Sequence, residues 1–329
     1  MSELVDAHGR RITYLRISVT ERCNLSCFYC TPGAESCNRS GEEVLSISEL
    51  LCIAKVAAGY GISKIRLTGG EPLLRPDLVE LVRRLSQVPG INDLSLTTNG
   101  MLLDKLAQPL AQAGLQRLNI SLDSLVPGNF NSITRGGTLE RVLQGVRVAR
   151  RSGLTPIKMN VVLLKGINDG EIADFARLTL AEDYHVRFIE YMPMTGDGDS
   201  WREHYLPLEA AMAICSRLGK LFKVPGPLNG GPARYFRLEG GRGNIGFISP
   251  LSRHFCGECN RLRITAQGKL LACLFREHEI DLRPLLKAPA AIAEAFARAL
   301  AAKPDPASLA EDPLTRCRPG VPGMVAIGG

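Results

Sequence analysis

Short apolar segments alternate with amphipathic segments between about residues 12 and 215, and this alternation limits the possible folds more than any other feature. TYLRISV predicts a first strand, and SISE before ELLCIAKVAAGYG predicts a capping box at the start of the first helix, near Ser48. Five later segments have the same strand character: SKIRLTGGEP, DLSLTTNG, QRLNISLDS, PIKMNVVLL and HVRFIEYMP. Six strand–helix units in succession predict an α/β protein with a parallel sheet and helices outside it.

The number of units does not decide whether this sheet closes. Six units are fewer than the eight of a complete TIM barrel, so we predict a partial TIM-type (β/α)6 barrel, with an open doubly wound sheet as the alternative. Past about residue 220, ARYFRLEGG, RGNIGFIS, NRLRITAQG and KLLACLF predict short antiparallel strands, and residues 289–303 predict a helix. We therefore predict a barrel domain, residues 1–220, and a smaller C-terminal region, residues 221–329.

Composition narrows the class of protein further. The 329 residues are 45% hydrophobic and 22% charged, as in ordinary globular proteins rather than disordered ones. The first residues are polar and no run of about eighteen apolar residues occurs, so we expect a cytoplasmic protein without a membrane partner, or a matrix or stromal protein lacking its transit peptide. The net charge of +7 suits an anionic partner, but it does not distinguish nucleic acid from a nucleotide.

Six of the ten cysteines fall into two trios. The first trio is Cys23, Cys27 and Cys30, and the second trio is Cys256, Cys259 and Cys273. In a reducing compartment, clustered cysteines more often bind metal or do chemistry than form disulfides. A closed structural zinc site needs four ligands, so each trio leaves one position to be filled from elsewhere or left open.

The remaining cysteines give weaker signals. Cys52 and Cys215 lie in helix-like apolar patterns, where a cysteine acts as a small buried hydrophobic residue. Cys37 and Cys317 have no role that the sequence assigns.

The first trio resembles the cluster loop of the radical S-adenosylmethionine (SAM) superfamily in its C-x3-C-x2-C spacing, with Tyr29 before the last cysteine. GGEP, residues 69–72, resembles the motif with which that superfamily contacts the amino group of SAM. The resemblance implies a 4Fe-4S cluster with three cysteine ligands and an open iron for SAM, which is cleaved to a 5'-deoxyadenosyl radical. We expect Gly69 and Gly70 to let the backbone approach this ligand closely.

The second trio, in CGECNRLRITAQGKLLACLF, resembles the C-terminal cluster segment of the GTP 3',8-cyclase family. The similarity continues through YLRISVTERCNLSCFYC, KIRLTGGEPLLR, LSLTTNG, NISLDSL, RFIEYMP and the final GG, so it covers essentially the whole chain. It implies a second 4Fe-4S cluster whose open iron faces GTP. The implied reaction is the first step of molybdenum cofactor biosynthesis: the radical abstracts the ribose 3' hydrogen of GTP, and the carbon radical attacks C8 of guanine.

The resemblance also implies roles for individual residues. Those matched to SAM contacts are Tyr29, Gly70, Ser121 and Met192, and those matched to GTP contacts are Arg16, Arg66, Thr97, Lys158, Arg261, Leu262 and Arg263. Gly328 and Gly329 match a tail that supports the cyclisation. Independently of any family, arginine and lysine suit a triphosphate, and Arg261 and Arg263 share one face if their segment is a strand.

Partners follow from the same resemblance. It implies a homodimer, an electron donor such as flavodoxin or ferredoxin, delivery of the product to cyclic pyranopterin monophosphate synthase, and no nucleic acid. Two alternatives remain at this point. One is a radical SAM enzyme that modifies a peptide and carries an auxiliary cluster, and the other is a zinc-dependent nucleic-acid-binding protein.

Overall fold

The computed structural model describes residues 3–30, 43–192, 201–226, 231–275 and 278–309. Cys37, Cys317, Gly328 and Gly329, which the sequence singles out, lie outside these ranges. Within the described ranges, no helix has the length and apolar character needed to cross a membrane.

The strands of the described residues form one sheet. Their bounds are β1 (Tyr14–Ser18), β2 (Lys64–Thr68), β3 (Asp93–Thr98), β4 (Arg117–Ser121), β5 (Lys158–Leu163), β6 (His185–Glu190), β7 (Leu221–Val224), β8 (Arg234–Leu238), β9 (Asn244–Ile248), β10 (Arg261–Ile264), β11 (Lys269–Leu271) and β12 (Glu279–Asp281).

The helices follow the strands in the order that the sequence predicts. Their bounds are α1 (Ile47–Gly59), α2 (Leu78–Ser86), α3 (Leu103–Gln112), α4 (Pro127–Thr134), α5 (Leu139–Arg151), α6 (Ile172–Ala181), α7 (Trp201–His204), α8 (Leu208–Ser216) and α9 (Pro289–Ala301). The predicted capping box is confirmed: the Ser46 hydroxyl accepts from the backbone N–H of Glu49, whose carboxylate accepts from the backbone N–H of Ser46.

The strand order is β12-β11-β10-β1-β2-β3-β4-β5-β6-β9-β8-β7. The predicted partial barrel is confirmed, because β1 to β6 pair in parallel in sequence order and the sheet does not close. The predicted antiparallel pairing in the C-terminal region is also present, within β7-β8-β9 and within β10-β11-β12. The sequence did not reveal that β9 and β10 extend the parallel sheet by pairing with β6 and β1. The domain division near residue 220 stays a prediction.

The two faces of the sheet differ in chemistry. Leu15, Ile17, Ile65 and Leu67 are fully buried in the main hydrophobic core. The alternating residues of the same strands, such as Arg16, face the other side, because successive side chains of a strand point to opposite faces. Cys215 is buried in the core, as the sequence predicts, whereas Cys52 is only partly buried and packs against the core from its edge.

Candidate active site

The first trio lies in the loop that follows β1, at the carboxyl edge of the parallel strands. Two backbone hydrogen bonds attach this loop to the end of α4, from Ser26 N to Thr134 O (3.1 Å) and from Phe28 N to Ile133 O (3.2 Å). Its three cysteines are all partly exposed, and they line one cleft. The loop is therefore held by its backbone while its thiols face a common space.

Gly69 and Gly70 hold the end of β2 against the segment that leads into the first trio. A Cβ on Gly69 would lie 2.4 Å from the carbonyl oxygen of Thr20, and one on Gly70 would lie 2.4 Å from that of Arg22. The backbone N–H of Gly70 donates to Thr20 O at 2.8 Å. Both positions therefore need glycine for approach to the segment before the cysteines, while close approach to a ligand stays a prediction.

Glu71 of the same turn joins two strand ends. Its buried carboxylate accepts from the hydroxyl of Thr98 (2.7 Å), from Asn99 N (2.7 Å) and from Leu73 N (2.9 Å). Burial raises the pKa of Glu71 to about 7, although these hydrogen bonds oppose the rise. The carboxylate thus fixes the carboxyl end of β3 against that of β2.

Four residues matched to SAM contacts, Tyr29, Gly70, Ser121 and Met192, line the same cleft as the first trio. The hydroxyl of Tyr29 donates to the carboxylate of Asp123 at 2.5 Å. Asp123 also accepts from Val162 N at 2.8 Å, and burial raises its pKa to about 6. Thr97, matched to GTP, lines this cleft as well.

The second trio lies at the opposite edge of the sheet. Cys256 and Cys259 precede β10, which runs parallel to β1, and Cys273 follows β11, which runs antiparallel to β10. All three are therefore at the amino edge of the parallel strands. The two trios occupy opposite ends of the inner face of the barrel.

Cations surround one cysteine of the second trio. Burial acts to raise the pKa of Cys259, but the charges of Arg261 and Lys303 outweigh it and lower the pKa to about 6. The guanidinium of Arg261 also lies 5.0 Å from the centroid of the Phe255 ring. The thiolate is the form of cysteine that binds metal, so this setting favours a ligand over an inert thiol.

The inner face between the trios carries a set of cations that we call the basic ladder: Arg16, Lys64, Arg66, Arg117, Lys158, Arg187, Arg261 and Arg263. The strand register aligns them in rows. Arg16 pairs with Arg263 on one side and with Arg66 on the other, and Arg66 is followed by Ser95 and then Arg117. In the next row, Tyr14 stands between Arg261 and Lys64.

Neighbouring cations and burial disfavour the charged form of both lysines of the ladder. Burial, followed by the charges of Arg187 and Arg117, lowers the pKa of Lys158 to about 6. Lys64 falls to a pKa of about 8, chiefly through burial, although it pairs with Asp93 at 3.4 Å. Buried cations that repel each other in this way favour a bound anion, which would restore their charge.

Several strands, β2, β4 and β5 among them, divide their inward positions in the same way. Towards the amino edge stand cations such as Lys64, Arg117 and Lys158; towards the carboxyl edge stand small residues such as Thr68 and Ser121, which line the cleft of the first trio. The inner face thus combines a zone of cations near the second trio with a cleft near the first whose lining includes Asp123 and Glu190 but no lysine or arginine.

Comparisons with known proteins agree with this arrangement. Residues 17–179 match a family model described as the Radical SAM superfamily, and residues 184–309 match one described as Molybdenum Cofactor Synthesis C. A GTP 3',8-cyclase of Listeria monocytogenes serovar 1/2a is 46% identical over 333 residues, which cover 100% of both chains. A GTP 3',8-cyclase of Moorella thermoacetica is 50% identical over 302 residues, covering 91% of this chain and 93% of the relative. The chain belongs to the GTP 3',8-cyclase family.

Solved structures confirm the fold of this GTP 3',8-cyclase family member. The crystal structure of Streptococcus suis SuiB bound to S-adenosylmethionine superposes with a TM-score of 0.59 at 13% identity, covering 95% of this chain and 72% of SuiB. SuiB bound to its precursor peptide SuiA gives a TM-score of 0.61 at 14% identity with the same coverage. At this identity the likeness concerns the fold only. Membership of the GTP 3',8-cyclase family excludes both earlier alternatives, the peptide-modifying enzyme and the zinc-dependent nucleic-acid-binding protein.

Sequence reasoning missed three cations of the ladder in this GTP 3',8-cyclase family member: Lys64, Arg117 and Arg187. Lys64 and Arg187 are 2% and 5% exposed. The signal was present, because each stands two residues from another polar residue in an otherwise apolar strand, as in KIR, RLN and HVR. Period-two alternation inside a strand that is covered by helices predicts a polar inner face.

Leu262 differs from its neighbours. Its side chain is fully buried. It packs in the main hydrophobic core, on the face of β10 opposite Arg261 and Arg263. Its side chain therefore does not join the basic ladder. A contact between Leu262 and the substrate of a GTP 3',8-cyclase would have to use the backbone.

The cysteines can be tested against the clusters that the GTP 3',8-cyclase resemblance implies. Among the described residues, no three cysteine, histidine or acidic side chains are arranged to hold a single metal ion. A 4Fe-4S cluster makes a different demand, because each thiolate binds a different iron. Three partly exposed cysteines around one cleft, and a second trio with a cation-stabilised thiolate, fit that donor set.

Proposed function

We propose that the chain is a radical SAM GTP 3',8-cyclase that converts GTP to (8S)-3',8-cyclo-7,8-dihydroguanosine 5'-triphosphate, the first step of molybdenum cofactor biosynthesis. The basic ladder between two cysteine trios carries this proposal. A triphosphate is the anion that such a density of buried cations favours, and the carboxyl-edge cleft leaves room beside it for SAM.

The first trio would hold a 4Fe-4S cluster, which together with SAM supplies the 5'-deoxyadenosyl radical. The chain's own residues do the positioning. Tyr29, held by Asp123, and the backbone of Gly70 would shape the cleft around SAM. Arg16, Arg66, Lys158, Arg261 and Arg263 would hold the triphosphate, with Thr97 at the boundary between the two zones, so that the ribose 3' hydrogen faces the cleft.

The second trio would hold another 4Fe-4S cluster, whose open iron would bind the guanine base. The support is the cationic setting of Cys259 and its place beyond the basic ladder. Iron and acid-labile sulfide analysis after anaerobic reconstitution should give about eight of each per chain. About four of each would remove the second cluster from the proposal.

The decisive experiment is anaerobic incubation with GTP, SAM and a strong reductant. The expected products are 5'-deoxyadenosine and a cyclised guanine nucleotide, identified by mass spectrometry. Replacing GTP with ATP provides the control, which should give no cyclised nucleotide. Formation of deoxyadenosine without a cyclised product from GTP would be consistent with a radical SAM enzyme but would contradict GTP as its substrate.

The remaining partners are proposed on the family resemblance. We expect a cytoplasmic homodimer that receives electrons from a flavodoxin or ferredoxin and passes its product to cyclic pyranopterin monophosphate synthase. Analytical ultracentrifugation tests the dimer, cell fractionation tests the location, and coupled turnover with reduced flavodoxin and the synthase tests the partners. A monomeric sedimentation coefficient at micromolar concentration would contradict the dimer.

A further inference from the structure

Lys303 is a buried cation that the proposed reaction does not use. It lies just past Ala302, the C-cap of α9, and is 5% exposed, although lysine is seldom fully buried without partners. No motif in the sequence draws attention to it. Its position depends on α9, which packs against β11 and α1.

The ammonium group of Lys303 contacts the chain segment at Cys259 and the chain segment at Cys273. It donates to the carbonyl oxygen of Arg261 at 2.9 Å, to that of Ala272 at 2.8 Å, and to the Sγ of Cys259 at 3.8 Å. An ammonium has three protons, so these three acceptors use its full capacity. One side chain thus joins Cys259 to the residue beside Cys273.

A simpler explanation would be that Lys303 caps its own helix. Cations near a helix C-terminus often bond the last free carbonyls. Here the ammonium instead donates to β10, to the end of β11 and to a cysteine, all outside α9. Capping therefore does not account for the position of this side chain.

Arg10 plays a matching part on the other side of the same loop. It is 7% exposed, and its guanidinium donates to the carbonyl oxygens of Cys256 at 2.8 Å and Pro304 at 2.9 Å while pairing with Asp6 at 2.6 Å. Lys303 and Pro304 are adjacent, so two buried cations connect this turn of the chain to all three cysteine segments. The second trio is tied to the N-terminal segment and to the end of α9.

We propose that Lys303 is a positioning residue for the second cluster: its ammonium fixes the Cys259 and Cys273 segments, hydrogen-bonds the Cys259 sulfur and raises the reduction potential of the cluster. This inference rests on the proposed second cluster. The physical reason is that the potential of an iron–sulfur cluster depends on hydrogen bonds to its sulfurs and on nearby charge. A buried positive charge stabilises the reduced, more negative cluster more than the oxidised one.

The experiment isolates the second cluster by using the full chain with Cys23, Cys27 and Cys30 all replaced by alanine. In this background we compare Lys303→Gln, Lys303→Met and Lys303→Arg. Lys287→Met is the matched control, because Lys287 is an exposed lysine just before α9. Each protein is reconstituted anaerobically, checked by far-UV circular dichroism, assayed for iron and sulfide, and titrated with reductant while its electron paramagnetic resonance is followed.

The expected result is a more negative midpoint potential for Lys303→Gln and Lys303→Met, a potential near that of the parent for Lys303→Arg, and no change for Lys287→Met. A folded neutral variant that no longer loads a cluster, while Lys303→Arg still does, would also support the positioning role. Equal potentials for the parent and a cluster-loaded Lys303→Gln would overturn the inference. Lys303→Gln removes the charge but keeps an amide that can donate to the carbonyl oxygens of Arg261 and Ala272, so this variant is the neutral one expected to fold.

The experiment distinguishes failure of the proposed second cluster from failure of the proposed role of Lys303. If the chain without the first trio binds no iron or sulfide, the second cluster is wrong and the role of Lys303 falls with it. If that chain binds about four irons and four sulfides but its potential does not respond to Lys303, only the role of Lys303 is wrong.

Discussion

The two trios have the same number of cysteines, but their surroundings have opposite charge. In the first trio, burial together with the neighbouring Cys30 and Asp123 holds the pKa of Cys27 well above its usual value. In the second, Arg261 and Lys303 bring the pKa of Cys259 down to about 6 against the effect of burial. The number of cysteines therefore does not distinguish the two trios; the charge of the nearest side chains does.

This difference shows how one barrel can offer surroundings of opposite charge at the two ends of its inner face. The acidic and polar setting of the first trio suits SAM, whose sulfonium is positive, whereas the cationic setting of the second suits a nucleotide triphosphate. The basic ladder extends from the second site and ends below the cleft of the first. The charge of the surrounding side chains therefore differs between the two ends of the inner face.

Single cysteine substitutions should separate the two sites most strongly. Cys27→Ala is expected to reduce both 5'-deoxyadenosine and the cyclised nucleotide to background, because SAM cleavage needs the first cluster. Cys259→Ala should retain deoxyadenosine formation and lose the cyclised nucleotide. Both products are measured by chromatography after anaerobic turnover, with Cys52→Ala as the control. Unchanged GTP turnover by Cys259→Ala would refute a substrate role for the second trio.

Removal of Gly328 and Gly329 should affect the products as Cys259→Ala does rather than as Cys27→Ala does. We expect the truncated chain to keep the iron content and SAM cleavage of the full chain while its yield of cyclised nucleotide falls sharply. The comparison uses the ratio of cyclised nucleotide to deoxyadenosine in the two chains. A normal ratio after truncation would show that the tail has no part in cyclisation.

Substitutions in the basic ladder should weaken GTP binding without weakening SAM binding. Arg16→Met or Arg263→Met removes charged hydrogen bonds of about 1.5–3 kcal/mol each, so the Kd for GTP should rise by about 10- to 100-fold. Isothermal titration calorimetry measures both ligands, and the exposed Arg147→Met on α5 is the control. A parallel loss of SAM affinity would contradict the separation of the two zones.

The pH dependence of GTP binding should show a smaller, graded effect. The pKa of Lys158 is about 6 and that of Lys64 about 8, so the free protein loses positive charge as the pH rises through these values. A bound triphosphate raises both pKa values, so binding takes up protons and the affinity should fall as the pH rises from 6 to 9, by up to about tenfold per pH unit for each proton. Calorimetry in buffers of different ionisation enthalpy counts these protons.

Lys158→Arg provides the matched variant for this test, because arginine stays charged over the whole range. Its GTP affinity should depend less on pH than that of the parent chain. The lysine assignment fails if the two pH profiles coincide.

Much of this arrangement could be predicted from the sequence because it depends on local pattern. The six strand–helix units, the SISE cap and the inward pointing of Arg16, Arg66 and Lys158 all follow from the period of apolar residues. The cysteine spacing and GGEP likewise identify the first site by resemblance. These features need no knowledge of which distant segments meet.

What could not be predicted depends on long-range pairing. Nothing local indicates that β10 joins β1, so the row from Arg263 through Arg16 to Arg66 is visible only in the register. The same holds for Lys303, whose partners lie on and beside β10 and β11, 31 to 44 residues before it in sequence. The sequence also does not show that Gly69 and Gly70 contact Thr20 and Arg22, because this contact depends on how two loops pack.

The pairing of β1 with β10 also fixes when each site can be completed during synthesis. β1 to β6 emerge in spatial order, so the platform of the first trio can pair while translation continues. The surroundings of the second trio are complete only after β10, β11 and finally Lys303 have been synthesised. A ribosome-bound chain stopped after residue 220 could present the cleft of the first trio but would lack all three cysteines of the second, so the proposed second cluster could be inserted only after Lys303 has been synthesised.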